Sequence, residues 1–217
     1  MTPRFATSHL TTHNRAVDGR YRSFTSLEDE FIFTEYNTRG ILAYKRAADA
    51  LLRALPMGVL HPVTNDLLVT ARNALQDVAA YNEQLFQKLD VDRFFYCVRP
   101  YFKPHRVGLH VYRGANAGDF AGINIIDMLL GLCQADHAYY SQLLVDKFLY
   151  MLPEDQALLR DCMRRESLMN SFLEHLDAGA GSESFRANLQ VFLEVCAAHG
   201  HTAAQHHDQL VNHSRLR

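Results

Sequence analysis

The chain has 217 residues, 48% of them hydrophobic and 21% charged, which suits one globular domain with a full core. Its net charge of -2 gives no electrostatic reason to expect nucleic acid or a membrane as a partner. The N-terminus lacks a signal-peptide core, no apolar run approaches the roughly 18 residues of a membrane span, and the four separated cysteines have no metal-binding spacing. We therefore expect a cytoplasmic protein with reduced cysteines.

Helical periodicity dominates the chain after an unpatterned start. We expect residues 1–24 to form an N-terminal arm and residues 25–217 to form one helical domain. Caps, prolines and apolar spacing predict helices over 27–55, 65–89, 90–102, 119–132, 139–151, 153–165, 168–176 and 185–211. No segment predicts a convincing strand, and only 106–112 has any extended character. The chain is therefore predicted to be an all-α bundle of six or seven helices, with 139–151 continuing or restarting the helix before it.

Residues 103–118 break this pattern, because they contain a proline, three glycines and several basic side chains. A loop of this length inside a helical domain is more often functional than incidental. Its second half, 112–119, has small residues that permit a close approach of the backbone to a flat ligand. It matches neither of the glycine-rich phosphate-binding motifs. The alternative is a tight turn capped by Asn116.

The final helix holds five histidines between His199 and His213. His207 shares its helix face with a column of small residues, which are Ala203, Gly200 and Cys196. Such a face has room for something flat and wide, and a neutral imidazole is a good iron ligand. We interpret His207 as a haem ligand, the alternative being a buried histidine in a closely packed helix. His199, His206 and His213 lie on a different face and are expected to be solvated or to bind a stray metal.

A second candidate lies among aromatic residues at 94–102. Arg99 stands there directly before a proline. An arginine with apolar neighbours needs an anion, because an unpaired buried charge is costly, and its planar fork fits a carboxylate. That carboxylate is either on a ligand or on an Asp or Glu of another helix.

In order along the chain, these stretches resemble the histidine-ligated haem-dependent aromatic oxygenases, the superfamily of tryptophan and indoleamine 2,3-dioxygenases. Phe94-Phe95-x-x-x-Arg99-x-Tyr101 is similar to FFSVLRIY, 116–131 is similar to SAGQSSVFQCFDVLLG, and 207–211 is similar to HLQIV. The nearest likeness is to the chlorotryptophan-rearranging enzymes of the pyrrolnitrin pathway and to bacterial haem-dependent tyrosine hydroxylases.

The resemblance implies a bundle of the indoleamine/tryptophan dioxygenase type that encloses a b-type haem. His207 would be the proximal iron ligand, and Arg99 would pair with the substrate carboxylate. The other implied site residues form a substrate pocket, Phe94, Phe95, Tyr101 and Asn116, and a haem-contacting set, Gly114, Ala115, Ala117, Gly118, Gly200, Ala203 and Ala204.

The distal side departs from the pattern of the tryptophan dioxygenases. Their segment FIIQH carries a distal histidine, whereas this chain has Glu35 at the matching position. We expect the catalytic base to be Glu35, or else His105 or His110 from the loop. A phenol substrate benefits from a histidine that accepts its proton.

We therefore expect a haem-dependent oxygenase of secondary metabolism that acts on an aromatic amino acid with O2 or peroxide. Ring hydroxylation of L-tyrosine or a close derivative is the preferred reaction, and tryptophan-type dioxygenation or rearrangement is the alternative. A non-catalytic haem sensor and an HD-like metal hydrolase, the latter indicated by His207-Asp208, are alternatives from other classes. The relatives also imply a homo-oligomer, either a dimer or a tetramer.

Overall fold

The computed structural model describes residues 17–19, 22–112, 120–134, 136–148, 151–179 and 181–206. Most of the predicted N-terminal arm, the loop residues 113–119 and the chain after His206 lie outside these ranges. Predictions that concern those residues stay predictions.

Helices dominate the described residues, which confirms the all-α prediction. The α-helices are α1 Glu28–Met57, α2 Pro62–Lys88, α3 Val91–Arg93, α4 Ala121–Leu130, α5 Ala138–Phe148, α6 Pro153–Cys162, α7 Leu168–Glu174, α8 Leu176–Gly179 and α9 Glu183–His206. No helix in these ranges has both the length and the hydropathy needed to cross a bilayer.

The start of α2 differs from the prediction by about one turn. Residues 61–66 were expected to form a turn, but the helix begins at Pro62. The ring nitrogen Nδ1 of His61 accepts a hydrogen bond from the backbone N–H of Val63 at 3.2 Å, so His61 is the N-cap. A proline fits the first helical position because the N–H that it lacks would have no helical partner there.

The long helices α1 and α2 pack side by side and provide most of the core. Their facing stripes combine alanines with branched side chains, and small residues at a helix contact let two backbones approach closely. The buried residues of these stripes are Ala43, Ala47, Ala50, Leu51 and Ala54 of α1 and Leu68, Ala71, Leu75 and Val78 of α2. The same core continues into α4, α6, α7 and α9.

Helix α9 lies along α2 and runs in the same direction. Near its start, the Asn188 amide donates to the backbone oxygen of Val59 at 2.8 Å, just before α2 begins. Near its end, the Gln205 amide donates to the backbone oxygen of Ala79 at 3.1 Å, in the second half of α2. The C-terminus of α9 therefore points towards the C-terminal end of α2 and the beginning of α1.

The predicted helix over 90–102 is present only in part. Asp90 caps α3, and the helix then widens into a π-turn over Phe94–Val98 and tightens into a 3₁₀ turn over Arg99–Phe102. Pro100 explains the change, because it has no N–H to donate and disfavours α geometry at the preceding residue. Single π-turns of this kind are frequent at functional sites.

A small β-hairpin follows and corrects the prediction that the chain has no strand. Strand β1 covers His105–Val107 and strand β2 covers His110–Tyr112, paired antiparallel. Gly108 has a φ of 61° in the turn, a conformation that glycine adopts without a Cβ clash. The extended pattern of 106–112 was therefore the correct signal.

The packing of α9 predicts that two neighbouring residues contribute very differently to the free energy of unfolding. Phe192 is 0% exposed and its ring centroid lies 4.8 Å from that of Phe172, whereas Leu193 is 55% exposed. We expect Phe192→Ala to lower the free energy of unfolding by about 3–5 kcal/mol and Leu193→Ala to change it by less than about 1 kcal/mol. Urea unfolding monitored by circular dichroism measures both. Equal effects would contradict the placement of α9 in the core.

Candidate active site

The aromatic segment with Arg99 lies at one end of the α1–α2 pair. Phe94 packs against Phe33 of α1, with ring centroids 4.8 Å apart, and joins a buried cluster with Leu85 and Leu89 at the end of α2. Because α9 runs parallel to α2, its C-terminus points to this same end. Two of the three stretches that the sequence singles out are therefore brought to one end of the bundle.

The third stretch, the loop, re-enters the described residues near this end. Phe120, directly after it, packs on Ile41 of α1. Ile41 lies only eight residues, about 12 Å along a helix axis, from Phe33. The loop residues predicted to contact substrate or haem, Gly114, Ala115, Asn116, Ala117 and Gly118, themselves lie outside the described residues.

Arg99 is half-buried, and its guanidinium carbon lies 4.6 Å from the centre of the Phe95 ring. It forms no ion pair with any carboxylate in the described part of the chain. A stacked guanidinium keeps its in-plane N–H groups available. Within the described residues, Arg99 therefore has no ion-pair partner, and its guanidinium N–H groups are available to an external anion.

The other predicted pocket residues differ in their surroundings. Phe94 is buried in the core, whereas Phe95 is half-buried beneath Arg99. Tyr101 is exposed, and its ring stacks on that of Phe24 at 5.3 Å. Phe95 and Tyr101 are thus accessible to a ligand, and Phe94 packs against Phe95 with ring centroids 6.0 Å apart.

An ion pair fixes the start of this segment. Asp29 of α1 is 0% exposed, and both Arg93 Nε and the backbone N–H of Asp90 donate to its carboxylate, the latter at 2.9 Å. The hydrogen bond from Arg93 holds the pKa of Asp29 below its usual range, although burial opposes the shift. Asp29 therefore stays ionised and ties the π-turn to α1.

The two loop histidines lie on one face of the hairpin. His105 pairs with Tyr112 and Val107 pairs with His110, and residues directly opposite each other point to the same side of a sheet. Both histidines are exposed, and Nε2 of His105 lies 3.0 Å from the backbone oxygen of Tyr101. The hairpin thus brings two titratable imidazoles beside the Arg99 segment.

Glu35 is placed differently from these histidines. Its carboxylate forms an ion pair with Arg39 at 2.9 Å, one turn further along α1. Its role as catalytic base stays a prediction, and the described geometry favours the histidines.

The small-residue face of α9 is open. Gly200, Ala203 and Ala204 are exposed, and a Cβ added to Gly200 would meet no atom within 4 Å. The surface of α9 is therefore accessible here, and contact of these residues with haem stays a prediction. His207 lies outside the described residues, and its role as iron ligand also stays a prediction.

The surroundings of His199 differ from the prediction. It was expected to be solvated or to bind a stray metal, but it is 6% exposed, and its Nε2 lies 2.8 Å from Oδ1 of Asp127 in α4. Its other ring nitrogen, Nδ1, is buried and has no hydrogen-bond partner in the described part of the chain. The available signal was the aspartate in the segment that resembles FDVLLG, since a buried carboxylate calls for a partner.

The small residues of α9 fit a flat ligand such as haem, whereas His199 does not fit its iron. Gly200, Ala203 and Ala204 are exposed and leave the surface of the helix open. Nε2 of His199 faces Asp127, and Nδ1, the ring atom next to the Cβ, is enclosed by protein atoms. His207 therefore stays the expected iron ligand.

A site with several protein ligands has less support. No three His, Cys, Asp or Glu side chains gather as a metal-ion site within the described ranges. The histidine and aspartate of the HD-like interpretation, His207 and Asp208, lie outside those ranges.

Comparison with known proteins gives one family. The family model described as monodechloroaminopyrrolnitrin synthase PrnB matches residues 1–217, the whole chain. A comparison with curated individual proteins found no match.

The ion pair of Asp29 predicts a pH-dependent contribution to stability. Its folded pKa is lowered from an ordinary value of about 3.9, so the stabilisation is fully present above about pH 4 and is lost as the pH falls towards the folded pKa. We expect Asp29→Asn to lower the free energy of unfolding at pH 6, and the difference from the natural protein to shrink towards pH 3.

Urea unfolding at several pH values measures this difference. The matched control is Asp49→Asn, whose carboxylate is exposed and lies 3.7 Å from Arg53 on the same helix. If Asp29→Asn lowers the free energy of unfolding by the same amount at pH 6 and at pH 3, the ion-pair account is contradicted.

Proposed function

Because the chain belongs to the PrnB family of haem-dependent enzymes, we propose that it transforms a tryptophan derivative whose carboxylate is bound by Arg99. The family favours the tryptophan-type alternative over the expected tyrosine hydroxylation, and an enzyme over a non-catalytic sensor. Haem b is the cofactor, and an aromatic amino acid is the class of substrate.

The main support for the proposal is that the guanidinium N–H groups of Arg99 are available to a ligand. Its guanidinium stacks on Phe95 and has no carboxylate partner in the described ranges. A half-buried guanidinium without an anion is energetically unfavourable, and a ligand carboxylate satisfies it with two parallel hydrogen bonds. The Phe95 and Tyr101 rings offer apolar surface to the aromatic part of the same ligand.

The iron ligand is a histidine of the last helix, and two residues compete for the role. His207 has the match to HLQIV and the open face, whereas His199 has the buried carboxylate partner and the unpartnered nitrogen. We favour His207, because the one nitrogen of His199 that does not face Asp127, Nδ1, is enclosed by protein atoms and lies next to the Cβ, where a porphyrin would clash with α9. His199 instead holds α9 to α4 through Asp127.

The residues of the chain have separable roles in this scheme. Arg99 binds and orients the carboxylate, and the aromatic rings exclude water from its surroundings. The histidines of the hairpin, His105 and His110, are placed to take up or return a proton. Haem, when bound, supplies the activation of O2 or peroxide.

Tyrosine hydroxylation is the second candidate, and the hairpin favours it. Two histidines on one exposed face suit a phenol that must lose its proton. Incubation of the haem-loaded protein with L-tryptophan, chlorotryptophan and L-tyrosine, with peroxide or with O2 and a reductant, separates the two reactions by product mass. The proposal expects turnover of a tryptophan substrate, and turnover of tyrosine alone would select the second candidate.

Removal of the iron ligand should abolish the haem spectrum. We expect His207→Ala to lose the Soret band of the haem-loaded protein, because the iron then lacks its histidine ligand. His201→Ala is the matched control, since His201 is exposed on the last helix. Loss of the band in His199→Ala, with His207→Ala unaffected and His199→Ala still helical by circular dichroism, would instead select His199.

Removal of the guanidinium should weaken substrate binding without removing haem. Arg99→Ala loses a charge-assisted bidentate pair worth about 2–3 kcal/mol, which corresponds to a roughly 30- to 100-fold higher Kd for the amino acid. Titration of the haem absorption spectrum with substrate measures this. Arg106→Ala, an exposed arginine on the hairpin, is the control. An unchanged Kd for Arg99→Ala would refute the carboxylate assignment.

A further inference from the structure

Phe24, just before α1, contacts the segment that carries Arg99. Its ring lies nearly parallel to that of Tyr101, with the centroids 5.3 Å apart and an angle of 11° between the planes. It meets the Phe102 ring edge-on, with the centroids 5.6 Å apart. Stacked and edge-on pairs at such distances are favourable for aromatic rings. These two contacts hold the Phe24 ring in place, although 61% of the residue is exposed.

A buried carboxylate holds the backbone of the same residue. Glu30 of α1 is 2% exposed, and it accepts hydrogen bonds from the backbone N–H of Phe24 at 2.8 Å and from that of Thr25 at 2.7 Å. The Thr25 hydroxyl donates a third hydrogen bond to it, also at 2.7 Å. Hydrogen bonds to a charged acceptor are stronger than neutral ones, and the first turn of a helix favours a negative charge. Glu30 therefore fixes the chain at Phe24 against the beginning of α1.

The stacked rings form an exposed apolar surface close to Arg99. Side chains three residues apart in a 3₁₀ turn lie above one another, so Arg99 and Phe102 share one side of their turn. Phe24 touches both Phe102 and Tyr101, and Tyr101 is still 43% exposed. An apolar ligand group beside the guanidinium of Arg99 can therefore contact the Phe24 ring.

An aromatic amino acid suits this arrangement. Only a short carbon linker separates its carboxylate from its ring, so a ligand held by its carboxylate at Arg99 must place the ring close to that residue. A ring that covers Phe24 removes apolar surface from water and adds an aromatic pair, whereas an aliphatic side chain gains less from the contact. A contact with Phe24 therefore favours an aromatic side chain over an aliphatic one.

We propose that Phe24 contacts the ring of the bound amino acid and determines the preference for an aromatic side chain, and that Glu30 is the positioning residue that holds Phe24 there. The inference rests on the proposed function, in which Arg99 binds the carboxylate. Glu30 is buried and acts only through its hydrogen bonds to Phe24 and Thr25.

The decisive experiment compares L-tryptophan with L-leucine, two amino acids that share the carboxylate and differ in the side chain. Equilibrium dialysis with the haem-loaded protein measures both Kd values, whether or not binding changes the haem spectrum. We expect Phe24→Ala to raise the Kd for L-tryptophan about tenfold, because the ring contact is lost, and the Kd for L-leucine by less than about twofold. Tyr139→Ala, which removes an exposed ring from α5, is the control and should change neither value.

Three further variants separate the ring from its support. Phe24→Tyr keeps the ring and should bind L-tryptophan within about twofold of the natural protein. Phe24→Leu keeps apolar volume against Tyr101 and Phe102 without the ring, and should lose most of the preference for L-tryptophan. Glu30→Gln removes the charge on which three donors converge, and should raise the Kd for L-tryptophan selectively. Its effect should be smaller than that of Phe24→Ala, because the ring contacts remain.

The outcomes separate this inference from the function on which it rests. A selective loss of L-tryptophan binding in Phe24→Ala and Glu30→Gln, with Phe24→Tyr intact, supports the inference. An unchanged Kd for L-tryptophan in Phe24→Ala, or an equal rise for both amino acids, would overturn it, even where Arg99→Ala weakens the binding of both and so supports the carboxylate assignment. If Arg99→Ala changes neither Kd, the carboxylate assignment fails and the inference fails with it.

Discussion

The packing of α9 along α2 is the constraint on which the site depends. Asn188 fixes the beginning of α9 against the α1–α2 connection, and Phe192 and Val195 bury its inner face in the core. With one end fixed and the direction set parallel to α2, the C-terminal part of α9 points to the end of the bundle where Arg99 lies. A helix packed in the opposite direction would separate the histidines from the arginine by the length of the bundle.

Two different local arrangements prepare the two parts of the site. The stacked guanidinium of Arg99 has no anionic partner in the described ranges, so it is available to a ligand carboxylate. On α9, Gly200, Ala203 and Ala204 leave an exposed surface, and the contact of His199 with Asp127 holds this helix to α4. The guanidinium is costly to leave without an anion, and a bound carboxylate removes that cost.

Periodicity and capping in the sequence predicted the helical fold well, because long amphipathic helices follow from residue spacing alone. The π-turn over Phe94–Val98 and the hairpin over 105–112 were missed. A single widened turn has no separate sequence period, and two three-residue strands are too short to show clear alternation. Arg99 was singled out in the sequence because a charge among aromatic residues is visible without a structure.

His199 was missed for a physical reason that periodicity cannot capture. The exposure of His199 was predicted from its neighbours along the helix, but its actual partner is Asp127, which lies 72 residues away in sequence. Contacts between distant segments of the chain are not encoded in local spacing, so the histidine with the best partner was grouped with solvated ones.

The position of haem against the last helix is the central claim, and the methyl group of Ala203 reports on it most directly. Ala203 is exposed on α9 and lies four residues before His207 in the sequence, so it reports on haem bound beside this part of the chain. The measurement is the NMR spectrum of alanine-methyl-labelled protein before and after loading with ferric haem. The account predicts that the Ala203 and Ala204 signals broaden or shift strongly, while those of Ala50 and Ala54 in the core of α1 change far less. Unchanged Ala203 and Ala204 signals in protein with a full Soret band would contradict it.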